Sequence, residues 1–288
     1  MNFVKRGVKA AVNLVLYGHF WIAAAALAMT IQTKLLLWGE WQYSALDGFV
    51  AGGTLTIYAL HRLVAMRLQP QVQKTERFAI MQLFQSHIVF YALVAALLAA
   101  WFFFQLTLRL QLNLLVPCAI ALGYVLPLLN GRRLRDLPYL KIFLIAFAWA
   151  WITVWGPVAE KEGVFSWPIL LMLIERACFV FAITIPFDIR DMALDQSADV
   201  DTLPSYWGEQ GAKRISYLAL FICLLMALIN FLLSTYSPAI LLVLLLSVAS
   251  TFWLIKATHP QRHDYYFTGL LDGTMILQGG MVCYVCLF

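Results

Sequence analysis

The chain is a succession of long apolar segments separated by short polar ones. Nine segments approach the length of about 20 predominantly apolar residues that a membrane-spanning helix needs. They cover approximately residues 12–31, 45–66, 82–104, 111–130, 139–158, 166–187, 213–233, 237–256 and 265–286. This pattern predicts an all-α, polytopic membrane protein, in which residues 1–288 form a single domain built as a bundle of nine transmembrane helices.

The basic residues lie mostly on one side of this predicted bundle. Sixteen of the twenty Lys and Arg residues fall in the N-terminal segment and in the connections after the second, fourth, sixth and eighth spans. By the positive-inside rule this side is the cytoplasmic one, so we expect a cytoplasmic N-terminus and an external C-terminus. The N-terminal segment lacks a small-residue cleavage site after its apolar run, which indicates a first helix rather than a removed signal peptide.

The composition agrees with a membrane location. The chain is 62% hydrophobic and only 12% charged, whereas soluble domains are about a quarter charged. We therefore expect an integral membrane protein, in the cytoplasmic membrane if the source is bacterial, with membrane lipid and no nucleic acid as partners. The oligomeric state stays open.

All five cysteines lie in apolar segments, and the Cys283/Cys286 pair has no second pair to complete a zinc site.

One short stretch, from Ile185 to Gly208, holds a third of the acidic residues. Aspartates occur there at positions 188, 191, 195, 199 and 201. If the sixth helix continues past Pro186, the first four fall within an arc of roughly 80° on one helix face. Carboxylates that lie so close together repel each other unless a cation separates them, and Mg²⁺ commonly links carboxylates to substrate phosphates. The spacing is compatible with a magnesium–diphosphate site, and equally with a solvated acidic loop balanced by the basic surface.

Two sequence motifs resemble the UbiA superfamily of intramembrane prenyltransferases. DIRDMALDQSADVDTLPSYWG (Asp188–Gly208) is similar to the second Asp-rich motif of that family, with Asp191 and Asp195 at its two carboxylate positions. GYVLPLLNGRRLRDLPYLK (Gly123–Lys141) looks like the family's segment at the end of the fourth helix. The nine-helix arrangement, with both segments on the cytoplasmic side, is also that of the family.

This resemblance implies an enzyme that transfers an isoprenyl group from a prenyl diphosphate to an aromatic or other lipophilic acceptor. In the family, magnesium and basic residues hold the diphosphate, and an aromatic-rich groove holds the tail. The resemblance therefore makes Asp191 and Asp195 the expected catalytic residues and ligands of Mg²⁺, with Asp188 as a supporting ligand. It also makes Arg67, Arg132 and Lys141 candidate contacts to the diphosphate.

The sequence departs from the family at the first Asp-rich motif, at the end of the second helix. In the register considered, Ala59, Leu63 and Arg67 stand at the positions of the motif's asparagine and two aspartates, and no carboxylate occurs between residues 47 and 76. We expect His61, Arg62 and Arg67 to supply positive charge to an anionic substrate there, because Arg binds phosphate oxygens directly. The alternatives are that Arg67 anchors the helix and Arg62 pairs with an aspartate near the sixth span.

A second basic group lies after the fourth span and consists of Asn130, Arg132, Arg133 and Lys141. It is placed to bind phosphate, and the alternative is a contact with lipid headgroups. Inside the spans, Arg176 is expected to form a structural pair with another helix, because the adjacent Glu175 faces about 100° away from it. Asp272 is expected to pair with Arg62 or Arg176.

Three function classes remain open at this point. The first is a prenyltransferase, the second a membrane terpene cyclase that needs no acceptor, and the third a catalytically degenerate relative that binds lipid or serves as a partner protein. The second Asp-rich motif favours an enzyme, whereas the altered first motif favours a degenerate relative. A transporter is disfavoured because no matched pair of interrupted helices is evident.

Overall fold

The computed structural model describes residues 2–68, 82, 84–127, 133–197 and 200–288, with the side chains of residues 2–6, 67 and 68 left out. Ten helices run through these residues. They are α1 Asn2–Tyr17, α2 Phe20–Trp38, α3 Ala45–Leu68, α4 Gln85–Gln105, α5 Leu108–Val125, α6 Leu140–Glu160, α7 Trp167–Ser197, α8 Leu203–Leu232, α9 Pro238–Lys256 and α10 Tyr266–Leu287. Within the described residues, α2 to α10 are the nine helices with the length and composition of membrane spans, which confirms the predicted bundle.

The first span differs from its prediction. The segment 12–31 straddles a break at Gly18 and His19, where His19 adopts a left-handed backbone conformation with φ of 65°. Before the break, α1 carries Lys5, Lys9 and Asn13 at intervals of four residues, so it is amphipathic. The spanning helix is α2, which is apolar all around and begins eight residues later than predicted.

Two other helices extend beyond the predicted spans into polar sequence. Helix α7 continues through Pro186 to Ser197, so the aspartate-rich stretch begins as helix rather than as a loop. Helix α8 begins at Leu203, where Thr202 and Ser205 cap its first turn and Pro204 occupies a favourable early position. Hydropathy alone stops short of both extensions, because each consists largely of polar residues.

Helices α2 and α7 form the centre of the bundle. In each of them, 56% of the most apolar 18-residue stretch is buried inside the bundle, compared with 22% in α3 and in α4. The largest core cluster joins α2, α7, α8, α9 and α10 through Met29, Phe179, Leu220, Val248 and Phe267. Helices α3 and α4 therefore lie at the periphery, and the interior facing α7 is the place where polar groups are shielded from lipid.

A buried arginine lies in the middle of this interior. The guanidinium of Arg176 on α7 donates hydrogen bonds to the carbonyl of Met29 and the hydroxyl of Thr153, both at 2.9 Å. Its neighbour Glu175 accepts a hydrogen bond from the Tyr236 hydroxyl at 3.0 Å. These contacts link α7 to α2, to α6 and to the connection before α9. They agree with the expected interhelical structural role, although Arg176 pairs with backbone and hydroxyl groups rather than with Asp272.

The two ends of the bundle differ. We call the end that carries Arg62, Lys141 and Arg190 the charged end. At the opposite end, the Lys34 ammonium lies 2.9 Å from an Asp47 carboxylate oxygen and 3.0 Å from Glu160. The side chains of Lys34 and Asp47 are 5% and 0% exposed, so this network ties α2, α3 and α6 together away from water.

Asp47→Ala removes a buried partner of Lys34, and we expect it to lower the stability of the bundle by about 3 kcal/mol, because the ammonium keeps only Glu160 and Ser44. The matched control is Glu40→Ala, which breaks the Lys161–Glu40 pair at the same end, where the two side chains are 44% and 66% exposed. The midpoint temperature of unfolding in detergent measures the difference. Equal midpoints for the two variants would contradict the structural role of Asp47.

Candidate functional site

A cavity of about 220 Å³ opens among α2, α3, α5, α6, α7 and α10 at the charged end. One part of its wall is apolar and comes from the membrane-embedded turns. That part contains Ile22, Ile57, Ile120, Leu144, Ile145 and Ala148. Aromatic rings complete it, from Trp21, Tyr58, Tyr124, Trp149 and Phe187. The remainder of the wall is charged, so the cavity is amphiphilic along its length.

Four basic side chains occupy the charged part: Arg62, Arg135, Lys141 and Arg190. Lys141 and Arg190 contact carboxylates, Arg135 contacts the imidazole of His61, and one contact of Arg62 is the imidazole of His19. An imidazole that accepts a hydrogen bond from Arg135 is neutral and therefore leaves the charge of that guanidinium in place.

The two Arg–His contacts join α3 to its surroundings. Arg135 donates to Nε2 of His61 on α3, and its guanidinium also lies over the Tyr124 ring at 5.5 Å. Arg62, also on α3, donates to Nε2 of His19 at 3.4 Å. Among the described residues no carboxylate lies within ion-pair distance of Arg135. Arg135 thus presents a positive charge to the cavity that no neighbouring carboxylate neutralises by direct contact.

A short turn positions Arg135 before α6. Residues Leu134–Asp136 form a single 3₁₀ turn, and the Asp136 carboxylate accepts hydrogen bonds from the Arg133 guanidinium at 2.8 and 2.9 Å and from its backbone N–H at 3.0 Å. Partial burial raises the pKa of Asp136, but these hydrogen bonds and the charge of Arg133 outweigh it and hold the pKa below its usual value. The ionised carboxylate therefore fixes the turn that carries Arg135.

Lys141, on the first turn of α6, bridges two carboxylates of α7. Its ammonium forms an ion pair with Asp188, at 2.6 Å from Oδ1, although the angles of this contact are not those of a hydrogen bond. The ammonium also donates a hydrogen bond to Asp195 Oδ2 at 3.3 Å. The two aspartates are two helical turns apart, so they lie on the same face of α7. None of the three side chains is more than 10% exposed.

Arg190 is the ion-pair partner of Asp191, the third aspartate of α7. Its Nε and Nη2 donate to the two carboxylate oxygens of Asp191, both at 2.8 Å, and its Nη1 donates to Asp264 at 2.8 Å. The guanidinium also lies 5.1 Å from the centres of the Phe187 and Phe267 rings. Two carboxylates and two aromatic faces therefore hold Arg190 in one orientation.

The expected site residues separate into three groups. His61, Arg62 and Lys141 line the cavity together with Asp188 and Asp191. Asp195 lies next to them through Lys141. The side chain of Arg67 and the whole of Asn130 and Arg132 lie outside the described residues, so their expected roles stay predictions.

Two of the three residues in the register considered for the first motif, Ala59 and Leu63, do not line the cavity. Ala59 is buried and Leu63 is partly buried in a cluster with Tyr17, Met66 and Ile88. The residues of α3 that do line the cavity are Ile57, Tyr58, His61 and Arg62. A tyrosine and an arginine four residues apart therefore stand on the cavity face of this helix.

In the described residues, basic side chains contact the three aspartates that are expected to bind magnesium. No group of three His, Cys, Asp or Glu side chains among them converges closely enough to hold a metal ion. The ammonium of Lys141 occupies the space between Asp188 and Asp195, and both oxygens of Asp191 accept from Arg190. A magnesium ion needs oxygen ligands at about 2.0–2.1 Å, so it would first have to displace one of these cations.

Two residues of this site, Arg135 and Arg190, are not distinguished by the sequence from the other basic residues of their side. Arg135 lies in the segment GRRLRDLPYLK and Arg190 in DIRDMALD. Asp272, which the sequence places inside a span, lines the cavity. Its expected ion pair with Arg62 or Arg176 is absent from the described residues. The usable signal for Arg190 was its position between two aspartates of one helix.

Arg190→Leu removes the counterion that Asp191 and Asp264 share, and we expect it to destabilise the bundle by on the order of 3 kcal/mol. The control Arg214→Leu changes an exposed arginine of the same end on α8, for which the expected change is within about 0.5 kcal/mol. Unfolding midpoints in detergent compare the two variants. If Arg190→Leu unfolds at the temperature of the control, the ion pair does not stabilise the site.

Comparison with known proteins identifies the fold and the family. A sequence profile of the UbiA prenyltransferase family matches residues 74–271, whereas no curated protein sequence matches the chain. A UbiA homolog from Archaeoglobus fulgidus bound to GPP and Mg²⁺ is similar over 96% of this chain and 99% of its own, with a TM-score of 0.68 and 13% identity. A UbiA homolog from Aeropyrum pernix K1 covers 93% of this chain and 98% of its own, with a TM-score of 0.65 and 14% identity.

A third solved structure, of a digeranylgeranylglyceryl phosphate synthase, is similar over 97% of both chains, with a TM-score of 0.58 and 10% identity. At such low identities these likenesses show the fold, while the family profile, which spans more than half of the chain, shows the family. The chain is an integral membrane protein and a member of the UbiA prenyltransferase family.

Proposed function

We propose that this protein binds a prenyl diphosphate in the cavity at the charged end and transfers its isoprenyl group to an aromatic or other lipophilic acceptor. The observation that carries the proposal is the amphiphilic cavity, in which an apolar, aromatic wall leads to a group of basic side chains. A prenyl diphosphate has the same division, with an apolar tail and a strongly anionic head. The UbiA homolog from Archaeoglobus fulgidus is described as bound to GPP in one structure and to DMAPP in another.

The diphosphate is expected to lie against Arg62 and Arg135. Both guanidiniums line the cavity, where Arg62 contacts His19 and Arg135 contacts His61. Guanidinium groups bind phosphate oxygens through two parallel hydrogen bonds and keep their charge at any ordinary pH. Lys141 and Arg190 line the same part of the cavity and add positive potential, reduced by their aspartate partners.

The proposed reaction begins with heterolysis of the bond between C1 of the prenyl chain and the diphosphate oxygen. The electron pair of that bond leaves with the diphosphate, whose developing charge the arginines stabilise. The rings of Tyr58, Tyr124 and Trp149 line the cavity, and their faces can stabilise the allylic cation. A nucleophilic atom of the acceptor then supplies the electron pair for the new bond to C1 and loses its proton to solvent.

Magnesium is the cofactor expected from the sequence, and Mg²⁺ accompanies GPP in the Archaeoglobus homolog. Asp188, Asp191 and Asp195, the residues expected to hold it, each have a basic partner within the chain. The same ion pairs favour a second candidate function, which is to bind a prenylated lipid without transferring its chain. Both functions need the anionic head group to reach Arg135, and only the first releases diphosphate.

The test uses the full-length protein in lipid nanodiscs with geranyl diphosphate and geranylgeranyl diphosphate. We expect Arg135→Leu to weaken binding of the diphosphate by on the order of 10- to 100-fold, the value of a hydrogen bond to a charged group. The control is Arg109→Leu, an exposed arginine at the opposite end of the bundle, which should leave binding unchanged.

Release of diphosphate in the presence of a panel of lipophilic aromatic acceptors separates the two functions. The transferase predicts release that depends on the acceptor and on Arg135. Binding without release for every acceptor would favour the lipid-binding relative. Binding that is equal in Arg135→Leu and Arg109→Leu would contradict the proposed site for both functions.

A further inference from the structure

We propose that Lys141 and Arg190 take the place of magnesium as the counterions of Asp188, Asp191 and Asp195, so that this protein binds its prenyl diphosphate without a divalent cation. The inference rests on the proposed function and concerns how the same site neutralises its charge.

The first argument is the position of Lys141. Its ammonium lies between Asp188 and Asp195, at 2.6 and 3.3 Å from their nearest oxygens, which is where a cation shared by two carboxylates of one helix face would lie. An ammonium and a magnesium ion cannot both occupy that space. Removing the ammonium would leave two carboxylates that are 1% and 10% exposed, and uncompensated charges in such surroundings are strongly destabilising. The lysine is therefore a built-in cation.

The second argument is the arrangement around Asp191. The Arg190 guanidinium accounts for both of its oxygens in a bidentate contact, and a further carboxylate and two phenylalanine rings hold that guanidinium. Asp191 and Asp195 are thus bound to two different cations, Arg190 and Lys141. Ligation of one metal by both would require Arg190 to leave Asp264 and Lys141 to leave Asp188. Two sets of buried contacts oppose that rearrangement.

Helix α3, which also lines the cavity, has no carboxylate after Asp47. In the sequence no carboxylate occurs between Asp47 and residue 76, and Asp47 lies at the opposite end of the bundle in contact with Lys34. The cavity face of α3 carries Tyr58, His61 and Arg62 instead of the carboxylates that Mg²⁺ prefers. An anionic head group that enters between α3 and α7 therefore meets guanidiniums directly. A metal ion brought in with the substrate would approach Arg62 and Arg135, which repel it.

The test measures binding of geranyl thiolodiphosphate, an unreactive analogue, to the purified full-length protein in excess EDTA and in excess Mg²⁺. The proposal predicts dissociation constants that agree within about threefold. In parallel, electron paramagnetic resonance of Mn²⁺, used as a probe for the magnesium position, reports metal binding with and without the analogue. We expect no stoichiometric Mn²⁺ binding in either case.

Lys141→Met extends the test by removing the internal cation. The proposal predicts that this variant acquires a requirement for metal. Its binding of the analogue in EDTA falls by about tenfold or more, and Mn²⁺ binds and restores it, because Asp188 and Asp195 are then available as ligands. The control is Lys256→Met, an exposed lysine of the same end that contacts the Trp253 ring and no carboxylate of the described residues. It should behave as the wild type in both buffers.

The wild-type measurements decide the question even without the variant. Binding of the analogue that is lost in EDTA, together with one Mn²⁺ per chain, would overturn the proposal and restore the magnesium site expected from the sequence. Failure of the analogue to bind in both buffers would contradict the proposed function instead. In that case the Mn²⁺ spectrum of the protein alone still decides whether the aspartates of α7 bind a metal.

Discussion

The ion pairs between α6 and α7 are the interaction on which the charged end of the bundle depends. Three aspartates of α7 face an interior where a carboxylate without a partner would be strongly unfavourable, because the surroundings are poor in water. Lys141 satisfies two of them and Arg190 the third. Since Lys141 also begins α6, the same contact sets how closely α6 approaches α7 and therefore where the cavity between them opens.

The same rule governs the other charges inside the bundle. Arg176 in the middle is bound by a backbone carbonyl and a hydroxyl, and Lys34 at the opposite end by two carboxylates. Neither of those two side chains lines the cavity, and their contacts within the chain indicate a structural role. Arg135 differs from them, because it lines the cavity and is held there by a neutral imidazole. Because the imidazole does not neutralise it, this guanidinium can still attract an anion. The cavity is therefore where we expect an anionic ligand to bind.

Much of the architecture could be predicted from the sequence. Nine apolar segments, the continuation of the sixth helix past Pro186 and the resemblance to the family all agree with the structure and the comparisons. The first span was misplaced because a hydropathy window cannot detect the break at His19 between an amphipathic and an apolar helix. The partner of the aspartates also could not be predicted from the sequence, because Lys141 and Asp188 are 47 residues apart and meet only when α6 packs on α7. Spacing within one helix shows which carboxylates share a face, but not which cation a neighbouring helix brings to them.

The central claim is that the cations of this site belong to the protein itself. The most direct measurement is a crystal structure of the protein with geranyl thiolodiphosphate and Mn²⁺, with data collected at the manganese absorption edge. The account predicts diphosphate density beside Arg62 and Arg135, with Lys141 still between Asp188 and Asp195 and no anomalous peak at the aspartates. An anomalous peak coordinated by Asp191 and Asp195, with Lys141 turned toward the diphosphate, would contradict it.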